Sequence, residues 1–171
     1  MSFYTVIARL LEYPTQALID SLHEIPQALS TINISHDEKK VVLNFTQWVA
    51  TDTLIKQQAF YVDTFDVIQE HSLHITHHLY GESKERGPAL ANMIEYYGSH
   101  GFNLSEKELP DFLPVILEFI AQLDEMGAKV FLADAGKALV ILRENLEQAK
   151  NPYASLVKLL EQRGNLAGIA A

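Results

Sequence analysis

Along most of the chain, apolar residues recur every three or four positions, the spacing that lines one face of an α-helix. The first apolar stripe covers residues 3–11 and ends before Pro14, a residue that cannot continue a helix. A short second helix is predicted over residues 16–23, and the stretch 26–36 is predicted to be a loop. The N-terminal part of the chain therefore predicts two helices and a loop.

Polar residues at cap positions mark where the next two helices begin. Ser35, followed three residues later by Glu38, is a capping-box pattern, and the helix that it opens is predicted to run to Ala50. Asp52 is predicted to cap a further helix that continues through Val62. Two consecutive helices are thus expected before the middle of the chain.

The middle of the chain is less regular. Residues 61–79 are rich in aromatic residues and histidine and follow no clear period, so the pattern there predicts no particular element. Pro88 suits the first turn of a helix whose apolar stripe ends at Gly98. A turn is predicted to follow, as far as Leu104.

Helical spacing returns in the C-terminal third. Ser105 and Glu108 offer a second capping box, and the helix after it is predicted to end near Gly127. The longest helix is predicted from the stripe over 131–146, and a short terminal helix from the stripe over 153–160.

Signals for a β-sheet are missing from this pattern. No stretch alternates apolar and polar residues over a strand's length, and no Asn-Gly or Asp-Gly pair marks a hairpin. Neither sustained heptads nor an internal repeat is visible. We therefore predict an all-α fold: one globular domain over residues 1–171, a bundle of about seven to nine helices, with 162–171 as a frayed tail.

Composition narrows the range of partners. The chain carries 13 Lys and Arg against 22 Asp and Glu, a net charge of -9, which repels phosphate backbones and argues against nucleic acid. The same acidity suits a basic partner segment, although it also serves solubility alone. There is no cysteine, no secretion signal and no apolar run long enough for a membrane span, so a cytoplasmic protein without an integral membrane segment is predicted.

Histidines are the obvious candidates for metal chemistry. His71, His74, His77 and His78 recur at spacings that place imidazoles on one helical face, but no acidic residue completes a zinc-protease signature. No metal site is predicted, and His74 and His78 are the candidates if one exists. Since no nucleophile or phosphate-binding motif is present either, the chain is not expected to be an enzyme.

Two short polar segments stand out between apolar elements. Residues 80–87 are polar and bounded by glycines, and residues 108–114 place an aspartate between two prolines. Taken separately, each segment is typical of a helix start with its charges in water.

Together, the two segments resemble the nitrate reductase delta subunit family, the NarJ-type assembly chaperones. The resemblance rests on Gly-Glu-Ser-Lys-Glu-Arg-Gly at 81–87 and, one helix later, Glu-Leu-Pro-Asp-Phe-Leu-Pro at 108–114. It extends to Tyr-Val-Asp-Thr-Phe-Asp at 61–66, Leu-Ala-Asp-Ala at 132–135 and Asn-Pro-Tyr-Ala at 151–154. Tyr80 stands where the family has a histidine.

That resemblance implies an all-helical cytoplasmic chaperone. Its partner would be the apo catalytic subunit of respiratory nitrate reductase, recognised through its N-terminal segment. The chaperone would support insertion of the molybdenum cofactor into that client before membrane attachment, while binding no cofactor permanently itself. The same fold could instead serve a dimethyl-sulfoxide or trimethylamine-oxide reductase, and a His-dependent metalloprotein is the alternative from another class. Both a monomer and a helix-swapped dimer are compatible with the family resemblance.

If the client segment is an amphipathic helix, its apolar anchors would enter a groove and its basic residues would meet an acidic rim. The candidate groove residues are Tyr61, Phe65, Leu113, Leu117 and Tyr153. The candidate polar and flanking contacts are Asp66, Tyr80, Glu82, Arg86, Glu108 and Asp111.

Overall fold

The computed structural model describes residues 2–105 and 107–165, and within these ranges it contains eleven α-helices, two 3₁₀ turns and no strand. The helices are α1 (Phe3–Leu11), α2 (Gln16–Ser21), α3 (Ile25–Ser30), α4 (His36–Val49), α5 (Leu54–Phe65), α6 (Ile75–Tyr80), α7 (Arg86–Ser99), α8 (Leu113–Ile120), α9 (Glu125–Asp134), α10 (Gly136–Gln148) and α11 (Ala154–Arg163). The 3₁₀ turns are Leu22–Glu24 and Gln69–His71. The predicted all-α class is confirmed, and three of the eleven helices are only six residues long.

The core forms around α8, in which Glu118 is the one polar residue. Seven of its eight residues are buried, as expected for a helix without a polar face. The N-terminal helix α1 packs along it and buries seven of nine residues, while α10 and α11 pack against each other. Within the described ranges no helix is long and apolar enough to span a membrane.

A cluster of aromatic rings joins α4 and α5 to the start of α11. Tyr153 is at its centre, with ring centroids at 4.8 to 6.4 Å from those of Phe45, Trp48, Phe60, Tyr61 and Phe65. The Tyr61 hydroxyl donates a hydrogen bond to the carbonyl of Leu11 at 2.9 Å, which ties this cluster to α1. These side chains therefore hold the fold together.

The helix starts predicted in the first half are only partly correct. The capping box of α4 is confirmed, because the Glu38 N–H donates to Ser35 Oγ at 3.2 Å and the Ser35 N–H donates to Glu38 Oε2 at 2.8 Å. The loop predicted over 26–36 is only partly correct, since α3 occupies residues 26–30 and leaves 31–35 as the loop. Helix α3 has its proline in the first turn, where proline is tolerated. Asp52 does not cap α5: the cap position belongs to Thr53, and Asp52 pairs with Lys56 at 2.8 Å.

In the second half, two predicted boundaries are wrong. Ser105 opens only a turn, and in the described residues after it the next helix begins at Leu113. Gly127 does not end a helix but lies in the first turn of α9, where its N–H donates to the capping carboxylate of Asp124 at 2.7 Å. The stripe over 131–146 is divided between α9 and α10 at Ala135, next to a glycine with low helix propensity.

Helix α7 lies on the outside of the bundle. It includes the predicted first-turn Pro88, but only Tyr97 among its fourteen residues is buried, and Ile94 in the predicted apolar stripe is 50% exposed. At the other end of the chain, α11 extends into the predicted tail as far as Arg163, and residues 166–171 lie outside the described residues.

Candidate functional site

The two motif segments, 80–87 and 108–114, meet in the structure. Residues 111–113 run antiparallel beside residues 73–75, where the Leu113 N–H donates to the carbonyl of Leu73 at 2.8 Å and the Ile75 N–H donates to the carbonyl of Asp111 at 2.9 Å. This short pairing brings the second segment against the start of α6. The chain turns from there into the central helix α8.

Asp111 is completely buried at this junction. Its Oδ1 lies 3.1 Å from Nδ1 of His74, and its Oδ2 accepts hydrogen bonds from both the backbone N–H and the hydroxyl of Thr76. Arg86 completes the set: its Nη2 lies 3.4 Å from Oδ2, and its Nε donates to Thr76 Oγ1 at 3.0 Å. We call Asp111, His74, Thr76 and Arg86 the Asp111 network.

The network keeps this buried carboxylate ionised. Burial alone would raise the pKa of Asp111, but hydrogen bonds from His74 and Thr76 and the charges of His74 and Arg86 outweigh it, so the pKa lies below its ordinary value. A charge removed from water is tolerated only when it is paired and hydrogen-bonded, as here. The network therefore fastens α6, the start of α7 and the segment before α8 to one another.

The far end of α7 is held by the same segment. Tyr97 is completely buried, its hydroxyl donates to the carbonyl of Pro110 at 2.8 Å, and its ring centroid lies 4.4 Å from that of Phe119. Burial, with a smaller contribution from the charge of Asp111, raises the pKa of Tyr97. Both ends of α7 thus contact residues 110–111.

A small cavity of about 210 Å³ lies beneath the middle of α7. We call it the α7 groove, and its lining comes from α6 to α9 and the start of the next helix: Ile75, Thr76, Leu79, Tyr80, Ala89, Met93, Ile116, Phe131, Asp134 and Ala135. The lining is mainly apolar, and Asp134 contributes its one carboxylate. In residues 2–105 and 107–165 that carboxylate has no hydrogen-bond or ion-pair partner, and it is exposed at the rim.

Two wider clefts, of about 580 and 520 Å³, lie between α4 and α11. Part of their charge is already neutralised, because Arg163 pairs with Glu38 at 2.6 Å and Glu147 pairs with Arg143 at 2.6 Å. Neither cleft includes a residue of the two motif segments. The α7 groove, which does, is therefore the candidate site.

The predicted groove residues do not form an open groove. Leu113 and Leu117 are completely buried beside α1, and Tyr61, Phe65 and Tyr153 belong to the aromatic cluster. Removal of apolar surface from water is the dominant favourable contribution to folding, which explains why these side chains form the core. Contact between them and a client would require the core to open.

The predicted polar contacts separate into two groups. Arg86 and Asp111 come together in the buried network, whereas Glu82, Glu108 and Asp66 are exposed, the last at the end of α5. Among the predicted residues outside the network, Tyr80 is the one that lines the α7 groove.

The histidines are engaged in separate contacts. His74 faces Asp111, while Nε2 of His78 lies 2.7 Å from the carbonyl of Ser72, and Nδ1 of His71 lies 3.2 Å from the carbonyl of Thr64. Burial lowers the pKa of His78, and the Ser72 carbonyl opposes that shift. Across the described residues, no three His, Asp or Glu side chains are grouped in a way that could hold a metal ion.

Sequence reasoning missed Met93, Phe131 and Asp134 as site residues. Met93 and Phe131 lie in predicted apolar stripes, and the pattern does not show which stripe remains partly uncovered. Asp134 belongs to the Leu-Ala-Asp-Ala element, and a carboxylate flanked by apolar residues could have marked it.

Comparison with known proteins decides the family. A sequence profile described as nitrate reductase delta subunit matches residues 33–157, well over half of the chain. The chain belongs to the nitrate reductase delta subunit family. The resemblance inferred from the motif segments is confirmed.

Members of the nitrate reductase delta subunit family with curated names align over nearly the whole chain. The nitrate reductase molybdenum cofactor assembly chaperone NarJ of Escherichia coli (strain K12) is 34% identical over 163 residues, covering 95% of this chain and 69% of that protein. The probable assembly chaperone NarW of the same strain is 30% identical over 162 residues, covering 95% and 68%. The probable NarJ of Bacillus subtilis (strain 168) is 29% identical over 157 residues, covering 92% and 85%.

The region that matches the nitrate reductase delta subunit family contains both the Asp111 network and the α7 groove. Three of the motif elements lie at these two sites: 81–87 and 108–114 supply Arg86 and Asp111 of the network, and 132–135 supplies the acidic rim of the groove. The element at 61–66 and the one at 151–154 meet elsewhere, since Asn151 Nδ2 donates to Thr64 Oγ1 at 2.9 Å.

Proposed function

We propose that this protein is an assembly chaperone, without catalytic activity of its own, for the molybdenum-containing catalytic subunit of a nitrate reductase. In this proposal it holds the N-terminal segment of the apo subunit in the α7 groove while the molybdenum cofactor is inserted into the client, in the cytoplasm. The names of the aligned relatives support the chaperone role. The main observation in favour of this site is the apolar groove, which is bordered by the family's motif elements and contains the unpartnered carboxylate of Asp134.

The chemistry of the groove favours an amphipathic, basic segment. Leu79, Met93 and Phe131, which are at least partly exposed, offer apolar contacts to anchor side chains placed one helical turn apart. Asp134 lies at the rim, where a Lys or Arg of the segment would pair with it without displacing an existing partner. The net charge of -9 also attracts a basic segment at long range and raises its association rate.

The distribution of polar groups supports binding over catalysis. The Asp111 network, which contains a completely buried carboxylate, is turned inward, and its members satisfy one another. Buried, mutually bonded groups of this kind stabilise a fold. The groove itself presents mainly carbon atoms to a ligand, which suits recognition of apolar side chains.

Isothermal titration calorimetry with a synthetic peptide tests the proposal. The peptide comprises the N-terminal residues of the nitrate reductase catalytic subunit from the same organism, and micromolar binding is expected. Asp134→Lys should weaken binding by about tenfold or more, because it reverses the charge that meets the basic residue. Ala89→Trp should abolish binding by filling the groove, with little loss of melting temperature, since Ala89 is only half-buried.

The matched control is Asp63→Lys, which makes the same charge change on an exposed face of α5 outside the groove and should leave binding within about twofold. The client class is tested with N-terminal peptides of dimethyl-sulfoxide and trimethylamine-oxide reductases, which should bind at least tenfold more weakly. Absence of binding at tens of micromolar, or equal weakening by Asp134→Lys and Asp63→Lys, would contradict the proposal.

A further inference from the structure

The two ends of α7 are attached to the rest of the protein in different ways. At the C-terminal end, Tyr97 is completely buried, and its ring contacts those of Phe102 and Phe119 at 5.5 and 4.4 Å. Its hydroxyl also donates to the carbonyl of Pro110. A buried aromatic side chain of this size contributes a large share of local stability, so this end is firmly anchored.

The N-terminal end depends on one side chain. In its first turn, Gly87 and Pro88 are exposed, and only Arg86 makes polar contacts with the rest of the described protein, to Thr76 and Asp111. The preceding residues 82–85 are exposed as well. They follow Gly81, whose φ of 53° and ψ of -125° form a bend that side-chain-bearing residues rarely adopt.

The α7 groove lies between these two attachments. Ala89 and Met93 from the middle of α7 form one wall. The cavity of about 210 Å³ is smaller than the roughly 300 to 1,000 Å³ of typical ligand pockets. It accepts one or two side chains, whereas the anchors of an amphipathic helix over two turns need more room.

We propose that α7 is a hinged wall of this groove, with Tyr97 as the hinge and Arg86 as the latch. This inference rests on the proposed function, and it assigns Arg86 as a positioning residue that sets the resting width of the client site. The helix between the two residues is about 16 Å long at 1.5 Å per residue. A rotation of about 20° about Tyr97 moves Ala89 outward by about 4 Å and the latch end by about 6 Å, which admits a second row of side chains.

The latch is built to release. The side chain of Arg86 is 27% exposed, and its Nη2 is 3.4 Å from Asp111, so the pair is a weak, partly solvated one. When Arg86 leaves, Asp111 retains its contacts with His74 and Thr76, so opening does not leave a bare buried charge. The anchored end keeps its own hydrogen bond to Pro110 throughout. Opening must also break the hydrogen bond from Arg86 Nε to Thr76 Oγ1, but both contacts belong to one partly exposed side chain. A segment held by so few contacts opens locally below the free energy of global unfolding.

Hydrogen exchange measured by mass spectrometry on the full chain, without client, tests the hinged wall directly. Arg86→Gln removes the charge of the latch, and amide exchange in residues 89–93 should become about tenfold faster, while exchange around Tyr97 changes by less than about twofold. Arg86→Lys keeps the charge and should give an intermediate rate. The matched control is Arg143→Gln, a similarly shielded arginine that pairs with Glu161 and Glu147 away from the groove; it should not alter α7.

The second readout is affinity for the client peptide described above. If opening limits access, Arg86→Gln raises the fraction of open molecules and tightens binding by about threefold, whereas a merely structural role for Arg86 would weaken binding. Faster exchange in all helices alike, unchanged exchange in α7, or weaker peptide binding by Arg86→Gln would each overturn the proposal. Failure of the wild-type protein to bind the peptide would refute the proposed function, while the exchange experiment would still decide whether α7 is hinged.

Discussion

Replacing Asp111 by asparagine tests whether this residue stabilises the fold through the buried network or instead lies at a surface that contacts a client. The substitution keeps the shape of the side chain but removes the charge that faces His74 and Arg86 and turns two acceptor oxygens into one. It also directs an amide donor toward donors of Thr76 or Arg86. Because Asp111 is completely buried, water cannot replace these lost contacts.

The expected loss is about 3 kcal/mol in the free energy of unfolding at pH 7, near the lower end of values for breaking a buried ion pair, since Arg86 reaches solvent. That loss is a large fraction of the roughly 5 to 15 kcal/mol of a typical domain. In a chain of this length it corresponds to a fall in melting temperature of about 6 to 12 °C. Urea denaturation followed by circular dichroism measures the first quantity, and a thermal scan measures the second.

The pH dependence gives the sharper test. The pKa of Asp111 in the folded protein lies below its value in the unfolded chain, which is about 3.9. As the pH falls, Asp111 is therefore protonated first in the unfolded chain, and this stabilises the unfolded chain relative to the folded protein. The extra stability of the wild type is therefore complete above about pH 4 to 5 and is lost as the pH falls through the folded pKa. A loss below about 1 kcal/mol at pH 7, or a wild-type advantage that does not shrink between pH 5 and pH 3, would refute the buried-network interpretation.

Three further substitutions should change stability in urea melts. Ser35→Ala removes a capping-box acceptor of α4 and should cost about 1 kcal/mol; no change would mean that the cap is frayed in solution. Lys150→Gly should stabilise by about 0.5 to 1 kcal/mol, because Lys150 has φ +53° after α10 and glycine relieves the left-handed conformation; destabilisation would show that its side chain contributes contacts. Gly164→Ala should cost about 2 kcal/mol, since its methyl carbon would lie 2.8 Å from the backbone of Leu132, while the control Gly136→Ala, with nothing within 4 Å, should not; equal effects would contradict the close approach.

Local signals predicted the elements well wherever the cap and the stripe agreed. The capping box at Ser35 and Glu38 is satisfied by both hydrogen bonds, and the apolar stripe over 3–11 is buried along α8. Ser105 shows the limit of such reasoning, because an equally good capping pattern opens only a turn. The described residues 107–111 form turns that bring Asp111 to its partners, so a tertiary contact outweighs a local preference.

The candidate site was also only partly predictable from the sequence. The sequence, through its resemblance to the family, singled out Arg86 and Asp111 and placed them in one functional unit, but it placed both at a surface in contact with a client. The structure buries Asp111 and makes Arg86 its partner. Position along the chain does not show whether a charged side chain meets water or a buried counter-charge, because that depends on segments distant in sequence.

By itself, the sequence determined that this chain is helical, which residues turn inward on most helices, and the family to which it belongs. These properties depend on periodicity and on short motifs, whose information is local. Only the tertiary structure decided that the stripe of α7 remains half uncovered, that Met93, Phe131 and Asp134 surround one cavity, and that Arg86 contacts Thr76 and Asp111 beside it. The physical reason is that a helix pattern specifies an apolar face but not what covers it, since packing depends on the shapes of all neighbouring helices at once.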